Sequence, residues 1–228
     1  MKQKFTILFD LDGTLVDTAP DLMLAHNHVM KKFGYPTKST EDIRNLVGKG
    51  AGALIGRSIW GQAKKEFSKV LDAKIKDEMV KEFVNFYGKN IVNESTLVTG
   101  VKDFLIWCKE QNISMAVCTN KQEHLSNDLL KKIGIYDFFE YVAGSDTFDY
   151  CKPDPRHLTN VVEILDGDVK KTIMIGDSET DANAAKAAEI PVILLENGYT
   201  EKNTTEIYHN HLVKDFIGIE KIIKKYLL

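Results

Sequence analysis

The feature that most constrains this chain is a series of short, unbroken apolar runs spaced along its length. Phe5–Phe9, Ile113–Cys118, Thr172–Ile175 and Val192–Leu195 are rich in strand-forming residues, with Tyr141–Ala143 a weaker fifth. A strand with one wet face alternates apolar and polar residues, whereas continuous runs fit strands covered on both faces, as in a parallel sheet. Helical patterns fill the intervals. Val101, Phe104, Leu105 and Cys108 recur at i, i+3, i+4, i+7, and Leu125, Leu129 and Ile133 at i, i+4, i+8. Asp154-Pro155 reads as an N-cap with a first-turn proline ahead of the stripe Leu158, Val161, Val162, Leu165. The alanine-rich stretch Ala182–Ala188 is a strong helix former. Strands alternating with helices predict an α/β, doubly wound domain.

The alternation breaks between about Asp17 and Asn90, where no strand is evident. Leu22, Ala25, Val29 and Phe33 make one helical stripe, Val80, Phe83, Val84 and Tyr87 another, and Ser39-Thr40-Glu41-Asp42 reads as a helix start. The expectation is a core of residues 1–16 and 92–228 with an all-helical insertion, 17–91, joined to it near Asp17 and near Asn90–Val98. A net charge of -3 gives no footing for a nucleic-acid partner. Three scattered cysteines without ligand spacing fit reduced thiols. The apolar stretch before Asp10 is too short for a signal peptide, and no run of about 18 uncharged apolar residues could span a membrane. A soluble, cytoplasmic protein, monomer or homodimer, is expected.

In an open parallel sheet, ligands bind beyond the carboxyl ends of the strands. Asp10, Asp12 and Thr14 follow the first run, Thr119 and Asn120 the second, Lys152 the weak fifth, and Gly176, Asp177, Ser178 and Asp181 the third. Like charges packed together need positive compensation. An all-oxygen set suits Mg²⁺ alongside a phosphate, and a lysine and a hydroxyl suit phosphoryl oxygens. The reaction class implied is metal-assisted phosphoryl transfer. Each residue alone has a plainer reading. Asp12-Gly13 is also a turn pair, Ser178 with Asp181 a capping box, Thr119-Asn120 a strand end, and Lys152 a solvated lysine. The joint pattern outweighs them.

In this order, Asp10-Leu-Asp-Gly-Thr-Leu, Thr119-Asn120, Lys152-Pro153 and Gly176-Asp177-Ser178-Glu-Thr-Asp181 resemble the haloacid dehalogenase-like superfamily of phosphatases. The resemblance spans essentially the whole chain. It implies a Rossmann-like core with the first strand central and a helical cap inserted after the first motif. It also implies that Asp10 is the nucleophile, and that Asp12 protonates the leaving alcohol and then activates water. Mg²⁺ would lie on Asp10, the Asp12 carbonyl and Asp177, with Asp181 supporting through water or Lys152. Thr14, Thr119, Asn120 and Lys152 would bind phosphate.

The first motif and Arg44-Asn-Leu-Val-Gly48-Lys49-Gly50 most resemble the phosphoglycolate phosphatase branch, making a small phosphomonoester, 2-phosphoglycolate, the expected partner. Gly48, Lys49 and Gly50 could offer N–H groups, a helix N-terminus and an ammonium to its carboxylate, and Arg44 and Arg57 could add positive lining. The plainer reading is a break between two helices with Lys49 solvated. Val98-Thr99-Gly100 and Cys151 depart from the family pattern, and the Lys65–Lys76 stretch is idiosyncratic. His26-x-His28 and His209-x-His211 read as solvated histidines without a third ligand, Phe83, Phe86 and Tyr87 as cap core or hinge contact, and Ile219–Leu227 as an amphipathic surface helix. A sugar phosphomutase, a broad-specificity sugar phosphatase or pyrophosphatase, and a non-catalytic phospho-ligand binder are the alternatives. A dehalogenase fits Asp12, Lys152 and the carboxylate set poorly.

Overall fold

The computed structural model describes residues 4–66 and 73–227. The strands are β1 (Thr6–Phe9), β2 (Val16–Asp17), β3 (Thr96–Leu97), β4 (Ser114–Cys118), β5 (Tyr141–Ala143), β6 (Thr172–Gly176), β7 (Val192–Leu195) and β8 (His211–Val213). The helices are α1 (Ala19–Lys32), α2 (Thr40–Arg44), α3 (Ala51–Glu66), α4 (Ala73–Lys89), α5 (Val101–Glu110), α6 (Glu123–Ile133), α7 (Arg156–Ile164), α8 (Glu179–Ala187) and α9 (Ile219–Ile223). Six strands form one parallel sheet in the order β5-β4-β1-β6-β7-β8, with β1 between β4 and β6. Of the idiosyncratic Lys65–Lys76 stretch, residues 67–72 lie outside the described residues.

The strand period of two divides β1 between the sheet's faces. Ile7 and Phe9 belong to one buried cluster, where the Phe9 ring lies 6.3, 5.8 and 6.4 Å from those of Phe104, Phe139 and Phe216. Leu8 belongs to another, with Ala116, Met174, Leu158 and Val161 of α7, and Ala184 and Ala185 of α8. Both faces are covered, so the run has no reason to alternate. The helix starts obey local chemistry. Ser39 and Asp42 form a capping box on α2, as do Ser178 and Asp181 on α8. Asp154 accepts from the Arg156 N–H, so it caps α7 although the helix begins after Pro155. Ile219–Ile223 is helical, a shorter span than the expected amphipathic stretch.

Helices α1–α4 form the N-terminal helical region, with α4 packed on both α1 and α3. The chain leaves and rejoins the sheet at one place, where Val16 pairs with Leu97 and Asp17 with Thr96 in a two-stranded antiparallel ribbon. Asp21, buried in the first turn of α1, ties the return strand down by accepting from the N–H groups of Asn93, Glu94 and Ser95 and from the Ser95 hydroxyl. One expectation needs correction. His26 is fully buried, not solvated, with Nε2 2.8 Å from the Ser58 hydroxyl and a pKa lowered by burial. His28 pairs instead with Glu82, because positions i and i+2 of a helix point apart.

Candidate active site

The Asp10 N–H extends the β1–β6 ladder by donating to the Ile175 carbonyl at 2.9 Å, which sets its carboxylate at the carboxyl edge of the sheet. The chain then folds back on itself, with the Gly13 N–H bonded to the Val16 carbonyl at 2.8 Å. Gly13 has φ of 84°, and a Cβ there would lie 2.1 Å from Asp177 Oδ2 and 2.9 Å from the Tyr199 ring. The turn therefore needs glycine for both backbone and space. Gly13→Ala is expected to cost about 2–6 kcal/mol, since a left-handed alanine and an overpacked contact each cost roughly 1–3 kcal/mol. A fall in the urea midpoint at unchanged m-value would report it.

Around Asp10 the β6 end supplies Asp177 and Asp181. The three carboxylates are buried, each with an oxygen within 4.8 Å of the others. Lys152 Nζ, itself buried, lies 2.9 Å from Asp10 Oδ1 and 2.5 Å from Asp181 Oδ1. The other Asp181 oxygen accepts from the Ser178 hydroxyl and from the N–H groups of Ser178 and Asp177. Asp181 thus caps α8 and holds Lys152 at once. Burial pushes the Asp10 carboxyl up from 3.8 to about 6; Lys152 pulls it down, and Asp181 and Asp12 push it further up. Asp177 is likewise raised by burial, then by Asp10 and Asp181, against the N–H of Tyr199 that reaches it at 2.6 Å. Burial works against the Lys152 ammonium, but Asp10 and Asp181 outweigh it and raise its pKa. The cluster has more negative charge than Lys152 neutralises. Asp10 and Asp177 are the carboxylates able to take a cation, with Asp181 already engaged on both oxygens.

Asp12 faces a different partner. Lys121 Nζ lies 2.8 and 3.0 Å from its two oxygens, and the Thr18 hydroxyl donates to Oδ1 at 2.7 Å. The same ammonium is 3.0 Å from the Tyr87 hydroxyl and 4.4 Å from the centre of its ring. Sequence reasoning singled out Thr119 and Asn120 but passed over Lys121 beside them. Its place after a strand end was the available signal.

Asp10 and Asp12 line a cavity of about 270 Å³ with Thr119, Asn120 and Lys121. The helical region closes it with Gly48, Lys49 and Gly50 and an apolar wall that includes Leu22, Leu54, Val80, Phe83 and Tyr87. Phe83 and Tyr87 therefore face the cavity as well as packing the helices. Lys152, Asp177 and Asp181 stand behind Asp10, outside the lining. Asn120 Nδ2 donates to the carbonyls of Gly48 (3.0 Å) and Lys152 (2.9 Å), docking the glycine loop on the sheet. Gly50, with φ of 81°, brings its Cα so near Asn120 that an added Cβ would lie 3.2 Å from the carbonyl. Lys49 is exposed.

The other candidates lie elsewhere. The Thr14 hydroxyl is buried outside the cavity lining, with no partner among the described residues. Arg44 is not in that lining either. It pairs with Asp17 at 2.7 Å and lies over the Tyr199 ring, whose hydroxyl donates to the other Asp17 oxygen at 2.5 Å. Burial raises the Asp17 carboxyl, but the bonds from Arg44 and Tyr199 prevail and hold it below its ordinary value. Arg57 donates to the Leu46 and Asn45 carbonyls and pairs with Glu201.

A buried acidic cluster at the end of a central parallel strand, with a lysine behind it and a helical region over it, defines a recognisable class. Residues 7–195 match the family of haloacid dehalogenase-like hydrolases, and the chain belongs to it. Among its relatives, phosphoglycolate phosphatase from Caulobacter vibrioides is 38% identical over 216 residues, 95% of this chain and 89% of that protein. The phosphoglycolate phosphatase of Mesorhizobium japonicum is 37% identical over 210 residues, 92% and 90% of the two chains. The crystal structure of a predicted phosphoglycolate phosphatase from Haemophilus somnus 129PT superposes with a TM-score of 0.90 at 31% identity, over 97% of this chain and 99% of that one.

Proposed function

We propose that the protein is a Mg²⁺-dependent phosphatase that hydrolyses 2-phosphoglycolate to glycolate and phosphate. The observation that carries the chemistry is the buried Asp10–Asp177–Asp181 cluster, under-neutralised by Lys152, of which Asp10 lines the cavity beside Asp12 while Asp177 and Asp181 stand behind it. Burial first, and the neighbouring carboxylates after it, raise the Asp10 and Asp177 carboxyls, and their all-oxygen donor set fits a hard divalent cation. When bound on Asp10, Asp177 and the Asp12 carbonyl, Mg²⁺ supplies charge neutralisation for the phosphoryl group.

The remaining work falls to the chain. Asp10 attacks phosphorus while Thr119 and Lys152 hold phosphoryl oxygens. Asp12, across the cavity, gives its proton to the departing glycolate oxygen. It then takes a proton from the water that opens the Asp10 acyl phosphate, which returns Asp12 to its acid form, Asp10 to its carboxylate, and releases phosphate. Residues 17–91 act as a cap: the ribbon Val16–Asp17 with Thr96–Leu97 is the hinge, and the Gly48–Gly50 loop, docked on Asn120, excludes water when closed. The substrate assignment rests on the curated relatives and on a cavity small enough to enclose a two-carbon ester.

A panel of small phosphomonoesters assayed with Mg²⁺ and with chelator tests this reading. Expected is phosphate release from 2-phosphoglycolate at the highest kcat/KM of the panel, abolished by chelator and restored by Mg²⁺. Equal rates across the panel would replace it with a general phosphatase. An isomerised sugar phosphate without free phosphate would replace it with a mutase.

A further inference from the structure

We propose that Lys121 selects substrates carrying a second anionic group beside the phosphate, and that this group displaces Asp12 from the Lys121 ammonium. The inference rests on the phosphatase reading above and adds how the site reads the non-phosphate end.

Lysine is seldom buried unless paired. The Lys121 side chain is 5% exposed and lines the same cavity as Asp10. Of the described residues that line it, Lys49 and Lys121 are the cations, and Lys49 is exposed while Lys121 is inside. The ammonium has two kinds of partner. Tyr87 holds it through its hydroxyl at 3.0 Å and its ring face at 4.4 Å, from a fully buried position on α4. Asp12 holds it through both carboxylate oxygens. The Tyr87 contacts fix where the charge stands, whereas the Asp12 contact involves a carboxylate that catalysis needs elsewhere.

Both jobs of Asp12 require an oxygen turned toward the ester oxygen or the incoming water, so the pairing with Lys121 must loosen during turnover. In a cavity with an apolar wall, removing that partner leaves a desolvated ammonium, which is costly unless another anion replaces it. A substrate carboxylate is such an anion. It takes up the charge on Lys121, keeps the Tyr87 contacts, and frees Asp12, which retains the Thr18 hydroxyl at 2.7 Å. A neutral substituent of the same size leaves Lys121 on Asp12, so it is disfavoured in both binding and turnover. The device reads charge at a position where shape alone discriminates weakly.

The test compares 2-phosphoglycolate with 2-hydroxyethyl phosphate, its neutral near-isostere, on the full chain with Mg²⁺. The wild type is expected to prefer the carboxylate ester. In Lys121→Met, the ratio of the two kcat/KM values should fall ~100-fold, the scale of losing one member of a buried charge pair. Both KM and kcat for 2-phosphoglycolate should worsen, and Lys121→Arg should keep most of the ratio. Tyr87→Phe, which removes one bond to the ammonium and keeps the ring, should lower the ratio roughly fivefold; it serves if Lys121→Met does not fold. Equal losses for both esters would overturn the proposal, leaving Lys121 only to position Asp12. An unchanged ratio, or a wild type without preference, would overturn it too. Phosphate release from neither ester would instead refute the phosphatase reading itself.

Discussion

Asp10→Asn is expected to abolish turnover, by about 10⁵-fold or more in kcat, and yet to make the metal-free protein more stable at pH 8. The two effects share one cause. The site holds the proposed nucleophile, a carboxylate, where burial opposes its ionisation, so its folded pKa rises from 3.8 to about 6. Well below pH 3.8 the group is protonated both folded and unfolded, and the substitution should be nearly neutral. Between about pH 4 and pH 6 the unfolded chain ionises the group while the native state keeps it protonated, so stability falls across that window and levels off once the buried group is ionised above 6. The shift is equivalent to about 3 kcal/mol once ionisation is complete. Asparagine removes this cost, but Lys152 then keeps only the Asp181 carboxylate, so the expected net gain is about 2 kcal/mol. Urea titrations in chelator at pH 4 and pH 8 should show the variant overtaking the wild type as pH rises. Mg²⁺ should stabilise the wild type more than the variant. Turnover retained by Asp10→Asn would remove Asp10 from the role of nucleophile, whatever the stability result.

This opposition between function and stability is also what made the site conspicuous in the amino-acid chain. Asp10 and Asp12 terminate a run so apolar that its carboxylates are anomalous there, and Asp177 repeats the anomaly at the end of β6. Strands with both faces covered advertise themselves, because Phe9 and Leu8 must both be apolar although they point to opposite clusters. Helices announced by side-chain caps were equally legible, since Ser39 with Asp42 and Ser178 with Asp181 act within one turn.

What was not legible depends on contacts distant in the chain. The ribbon of β2 and β3 is two residues a side and is defined by pairing between Val16 and Leu97, not by any local pattern. Strand β8, His211–Val213, is half-buried at the sheet edge and carries no apolar run. Lys121 reads as a surface lysine until its partner, Asp12, arrives from 109 residues away. Tyr199 sits in a loop, yet its N–H meets Asp177 and its hydroxyl meets Asp17. Arg44 illustrates the converse. Its charge and position suit a substrate anion, but Asp17 and the Tyr199 ring lie closer and take the guanidinium. The types of residue at the site can be read locally; the pairing of its charges is a property of the fold.

Lys152→Met should be the most destabilising single change in the site, because it removes the cation from the middle of three buried carboxylates. Nζ is 2.9 Å from Asp10 and 2.5 Å from Asp181, and Lys152 is 3% exposed. Removing one member of a buried ion pair costs about 3–5 kcal/mol, and methionine is close enough in volume to make lost packing a minor part. The pH dependence separates charge from packing. The Lys152 ammonium has a pKa raised above its ordinary value by Asp10 and Asp181, so its contribution is fully present below about pH 10 and fades only as pH rises beyond that. Between pH 5 and pH 8 the lysine itself does not titrate, and the variation must come from the carboxylates it leaves behind. Without it, Asp10 and Asp177, already raised, are pushed higher, so at pH 5 they take up protons and the repulsion is relieved. The loss measured in chelator should therefore be about 4 kcal/mol at pH 8 and clearly smaller at pH 5. An equal loss at both pH values would mean that Lys152 acts as filler and that the carboxylates do not depend on its charge. Phosphate release should fall with the substitution even at pH 5, where the fold recovers, because the ammonium proposed to hold a phosphoryl oxygen is gone whether or not the protein is stable.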